Sequence, residues 1–196
     1  MRVEPDTRDP VARAEALVRL FCSPGNFGAI RSVAPSQVPE PARTLLDHHS
    51  HMTVAMERFH GGDVRLRVVA SVNDGSGKPT HPAWYAREIL LETQGGKIVQ
   101  HGIVRIDLTT LNAAAAQAIR EARRPLGRIL IEAGMLREVH SVSLLEVEPG
   151  PHLNSLFRLP DRGAAAADAP VYGRVADIQL DGRPAVELLE IVAPAT

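Results

Sequence analysis

The chain has a single cysteine, Cys22. That excludes an intramolecular disulfide framework and a Cys-x-x-Cys metal site, and it fits a reducing compartment. Neither sign of charge is in excess, with 22 Lys and Arg against 23 Asp and Glu and a formal net charge of -1. Such a balance supplies no bulk basic surface for nucleic acid or an anionic membrane. No apolar run approaches transmembrane length, and the N-terminus lacks the charged-then-apolar order of a signal peptide. The sequence holds no internal repeat, no GxGxxG and no P-loop. The expectation left by these absences is a soluble, cytoplasmic protein without nucleic-acid or membrane partners. Its 196 residues suit one domain, 1–196, with a sizeable core. Residues 1–9 are polar and expected to be loose. Hydrophobic residues at 44% and charged residues at 23% are ordinary for a globular chain.

What is present reads as strands punctuated by glycine. Pro10 can open a helix, carried on by Val11, Ala14, Leu17, Val18 and Phe21 at helical spacing and stopped by Ser23-Pro24-Gly25-Asn26. A proline-rich connector over 32–41 leads to a short helix near 41–48. Strands are expected near 53–59, 64–72, 85–93, 97–108, 136–148, 172–180 and 184–192. Gly61-Gly62, Gly95-Gly96 and Asp181-Gly182 supply hairpin turns, the last with a strong type I′ signature. The Ala-rich stretch 112–122 has high helix propensity, Pro125 ends it, and 129–133 adds a helical turn. Loops are expected over 73–82 and 161–170. Three glycine hairpins and few crossovers predict an α+β fold: an antiparallel sheet with helices on one side.

Three residue groups invite a chemical reading. His48, His49 and His51 cluster, but adjacent residues point apart and only His49 and His51 could converge in a strand. No Cys or carboxylate lies at a ligand spacing, so polar residues at an element boundary account for them better than a metal site. In Tyr85-Ala86-Arg87-Glu88-Ile89-Leu90-Leu91-Glu92, period-2 alternation puts Arg87 on a face with Tyr85, Ile89 and Leu91. A buried arginine needs an anion, because its charge persists when desolvated. That anion is either an internal carboxylate or a ligand in a cleft. The closing strand carries Glu187 and Glu190, three apart and so on opposite faces, each among apolar neighbours. Either could pair with a cation or have its pKa raised by desolvation.

Tyr-Ala-Arg-Glu-Ile-Leu-Leu (85–91), Arg-Pro-Leu-Gly-Arg-Ile-Leu (124–130), and Gly-Arg-Pro with Glu-Leu-Leu-Glu-Ile (182–191) together resemble the chorismate pyruvate-lyase family. The likeness extends weakly back to Asp47 and His51-Met52-Thr53 and covers about 45–192. It implies a highly twisted antiparallel sheet with the ligand enclosed under helical flaps. It also implies a monomer, no cofactor and no metal, and cleavage of chorismate into 4-hydroxybenzoate and pyruvate. By the resemblance, Arg87 binds the ring carboxylate, the Leu126 main-chain N–H contacts the same group, and Met52 offers its main chain from a covering segment. Glu190 meets the ring oxygen, with Glu187 competing for that place, and a protonated Glu there could donate to an ether or hydroxyl oxygen. The sequence departs from the family at 48–51, 73–82 and 161–170. The effector domains of GntR-type regulators share this fold and bind small carboxylated ligands without reacting them. They normally follow a winged-helix DNA-binding domain, for which the roughly 40 residues ahead of the resemblance leave no room. An enzyme is therefore the first expectation, and a binding domain for an aromatic carboxylate the alternative.

Overall fold

The computed structural model describes residues 9–73, 84–135, 137–159 and 169–194. The loose start at 1–8, the loop over 74–82, Leu136 and the loop over 161–168 lie outside the described residues. Helix α1 (Pro10–Val18) begins at an Asp9 N-cap whose carboxylate accepts from the Ala12 N–H, with proline at its first position. It is followed by the short α2 (Pro24–Phe27), β1 (Gly28–Ser32), α3 (Ala42–Leu46) and α4 (Met52–His60). Next come β2 (Val64–Asn73), β3 (Trp84–Thr93), β4 (Ile98–Asp107), α5 (Ala113–Arg120) and α6 (Leu126–Glu132). The chain closes with β5 (Arg137–Pro149), α7 (Pro151–Phe157), β6 (Val171–Leu180) and β7 (Arg183–Val192).

The strands form one seven-stranded sheet in the order β1-β5-β6-β7-β4-β3-β2, and every neighbouring pair is antiparallel. The α+β expectation holds. The turn at Asp181-Gly182 has positive φ at both residues, 49° and 75°, as the type I′ reading requires.

Three elements differ from the sequence reading. Residues 53–59 form helix α4 rather than a strand. Met52, Thr53 and Met56 are its buried residues, and Met52 and Met56 stand one turn apart. Gly61 ends this helix in the left-handed conformation, φ 70°, so the Gly-Gly pair is a helix stop and not a hairpin turn. Strand β1 and helix α7 were not expected. β1 is a five-residue edge strand tied to β5 by the Arg31–Glu146 ion pair, and Pro151 opens α7 at its first position.

Helices cover both faces of the sheet rather than one. Tyr85, Arg87, Ile89 and Leu91 point towards α3–α6. There Leu45, Leu46, Met52 and Met56 pack at one end and Ile119, Ile129 and Leu130 at the other. The reverse face is apolar too. Leu90, Ile103, Val175 and Leu189 meet Leu17 and Val18 of α1, Phe27, and Leu153 and Phe157 of α7. Each fully buried Leu or Ile of this kind contributes about 1.5–3 kcal/mol over an exposed one, so neither face can be left open to water.

Candidate functional site

Between the two helical clusters on the α3–α6 face, the middle of the sheet is hollow. Gly102 of β4 lies opposite Ile89 on one side and Glu190 on the other. Having no side chain, it leaves space where a Cβ would come within 3.2 Å of Ile89 Cδ1. The cavity above it measures about 50 Å³. Arg87, Gln100, Gly102 and Glu190 contribute from the sheet, and Met52 and Leu126, the first residues of α4 and α6, from the cover. All four residues singled out by the resemblance thus line one space, although they come from four different elements.

Arg87 is 1% exposed. Its Nη2 donates to the Arg124 carbonyl at 3.3 Å, while Nε and Nη1 have no hydrogen-bond partner among the described residues. No carboxylate forms an ion pair with it among those residues. Burial pushes its pKa down, with Tyr85 opposing the shift, yet a guanidinium does not lose its proton in a protein. The outcome is a dry positive charge with two free N–H donor groups.

Glu190 is engaged elsewhere. Its Oε2 accepts from Arg174 Nε at 2.7 Å, with the two side chains 12% and 1% exposed. Arg174 also donates to the carbonyls of Leu46, His48 and Ser50, which pins the connector between α3 and α4 to the sheet. Gly173 beside it admits this close approach of β6 and β7, since a Cβ there would stand 2.6 Å from the Glu190 carbonyl oxygen. Arg174 was not singled out from the sequence. The signal that exposed Arg87 was present: Tyr172, Arg174, Ala176 and Ile178 share a strand face on which Arg174 is the lone charge. Glu187 lies on the reverse face, paired with Arg105, whose guanidinium stacks 5.2 Å from the Trp84 ring centroid.

The histidine cluster sits at the junction of the connector and α4. His48 Nδ1 meets Ser50 and Arg174 Nη1, His49 Nδ1 bonds the Val139 carbonyl, and His51 is the N-cap of α4 and lines the cavity. Burial and the nearby Arg174 charge lower the His48 pKa. These contacts belong to an element boundary.

No protein-family model matches the chain, and no curated protein sequence matches it. Solved structures do. The effector domain of PhnF from Mycobacterium smegmatis superposes with a TM-score of 0.51 at 16% identity, covering 74% of this chain and 88% of that one. A second PhnF structure from the same organism gives 0.50 at 15% identity over 92% and 93%. A GntR-family transcriptional regulator from Enterococcus faecalis gives 0.47 at 8% over 65% and 92%. The fold is therefore the chorismate lyase-like one of the PhnF effector domain. The expectation of a chorismate lyase-like enzyme is corrected by the same finding, because the two structures with TM-scores of 0.50 or above are the effector domain of PhnF and PhnF itself.

Proposed function

We propose that this chain is a ligand-binding domain that captures a small carboxylated, ring-bearing anion without reacting it. The observation that carries the reading is Arg87, a charge almost wholly withdrawn from water with two donor groups unused. Leaving a buried charge uncompensated costs several kcal/mol. A carboxylate accepting from one of these groups and from the second N–H of Nη2 would offset that penalty in the bidentate geometry arginine favours.

The lining supports the rest of the ligand. Ile89, Leu188 and Leu66 offer apolar contact, and Gln100 Oε1 is an acceptor without a partner among the described residues, suited to a phenolic hydroxyl. The Leu126 N–H belongs to the opening turn of a helix, where intrahelical bonds leave donors free, and is the second donor for the carboxylate. Met52 supplies cover. Glu190 acts through Arg174, holding the covering connector in place. About 50 Å³ holds a few water molecules or a carboxylate head, whereas pockets for whole drug-sized ligands run to about 300 Å³ and above. A ring therefore enters only when α4 and α6 part.

The test is a titration with 4-hydroxybenzoate and with its neutral analogue 4-hydroxybenzyl alcohol, beside an incubation with chorismate. Binding of the acid but not the alcohol, with no pyruvate released, is the expected result. Equal affinity for the two compounds would remove the carboxylate from the argument.

A further inference from the structure

On the reverse face of the sheet, directly behind the strand that carries Arg87, Glu88 of β3 meets two histidines. Its Oε1 lies 2.8 Å from His101 Nε2 of β4 and 2.7 Å from His152 Nε2 of α7. Glu88 is 1% and His101 0% exposed, while the His152 side chain is 21% exposed. The three ligand-type atoms all fall within 4.8 Å of one another. Nothing in the carboxylate-binding reading uses them.

From this convergence we infer a binding site for one divalent transition-metal ion, zinc by its chemistry, held by Glu88 Oε1, His101 Nε2 and His152 Nε2. Two imidazoles and a carboxylate are a recognised zinc donor set that leaves a fourth position for water. The charge balance points the same way. No Lys or Arg pairs with Glu88 among the described residues, so a carboxylate sits in the core with only imidazoles beside it. Phe27 and Phe157 pack around His101 at ring-centroid distances of 5.6 and 6.4 Å, which keeps the place dry.

The present spacing is that of hydrogen bonds. Metal bonds of about 2.0–2.2 Å in tetrahedral array would set the ligand atoms roughly 3.3–3.5 Å apart. Glu88 Oε1 therefore has to draw back from each imidazole by roughly 0.5–0.8 Å, which side-chain rotation of His152 and Glu88 supplies. When both imidazoles are neutral, each moves its proton from Nε2 to Nδ1 and no net charge is gained or lost by the protein. The ion would clamp α7 to the centre of the sheet.

The experiment is a titration of the full chain, stripped with a chelator, with CoCl2 followed by visible absorption, and with ZnCl2 followed calorimetrically. One equivalent of Co2+ with the intense absorption of a four-coordinate site is expected, displaced by Zn2+. His152→Ala sits at the partly exposed corner and should keep the fold. It should weaken the site by more than the roughly 10- to 100-fold that loss of an outer-shell partner costs. Glu88→Gln should do the same, and if that buried variant does not fold, His152→Ala decides alone. His49→Ala, in the exposed histidine cluster, should leave the affinity unchanged. Absence of a four-coordinate signal in the parent, or the same affinity in a folded His152→Ala, would overturn the site. So would loss of binding in His49→Ala.

Discussion

Arg87 and Arg174 stand in the same sequence setting, one charge on an apolar strand face, and meet opposite fates. Arg174 is satisfied inside the protein by Glu190 and three carbonyls. Arg87 has one carbonyl and two unused donor groups. The difference predicts different mutant behaviour. Arg87→Lys should lose ligand affinity, because lysine lacks the planar fork that grips both carboxylate oxygens and can give up its proton when buried. One hydrogen bond to a charged partner is worth about 1.5–3 kcal/mol, so binding of 4-hydroxybenzoate should weaken roughly 10- to 150-fold. Calorimetric titration of both folded proteins checks it, and equal affinities would take Arg87 out of the site. That Arg87 needed an anion was legible in the alternation of 85–92. Whether Glu190 pairs with Arg87 or with Arg174 was not, because only the register of β6 on β7 sets Arg174 opposite Glu190.

At the scale of elements, the cover of the cavity is the seam between α4 and α6. A Cβ on Gly127 would meet His51 Cβ, Cγ and Nδ1, each at 3.3 Å. The Arg128–Glu57 ion pair bridges the same two helices at 2.6 Å with both side chains partly exposed, so it contributes only about 0–1 kcal/mol. The seam is closely fitted but lightly latched, as an entry point needs. Gly127→Ala should push His51 back by a few tenths of an ångström while adding helix propensity of up to about 1 kcal/mol. The expected outcome is weaker ligand binding with thermal stability held near that of the parent. Unchanged affinity would show that the seam does not close over the ligand. Helix α4 is also where the sequence reading failed. Thr53, Val54 and Phe59 favour a strand by propensity, and the one-turn spacing of Met52 and Met56 mattered only because a sheet face was there to receive it.

One sheet with helices on both faces should unfold as a single cooperative unit, since exposing either cluster opens the strands shared by both. Thermal unfolding should be a single transition whose calorimetric and van't Hoff enthalpies agree. A carboxylate ligand at about 100 times its Kd should add roughly 2.7 kcal/mol of stability. For a domain of this size that is a rise of about 5–10 °C in Tm. A rise confined to part of a split transition would show that the site belongs to a separately folding piece.

The antiparallel α+β arrangement, the strands from β2 onward and the Asp181-Gly182 turn were determined by the sequence alone, because alternation and turn chemistry act over neighbouring residues. Tertiary structure decided the rest. The bulge between His140 and Ser143 shifts the phase of β5 by one residue. Helices cover both faces because Leu90, Ile103 and Leu189 had to be buried as well. Residues 87, 174 and 190, and residues 88, 101 and 152 behind them, come together only through strand register and helix docking. Those are contacts between distant parts of the chain, and no local pattern encodes them.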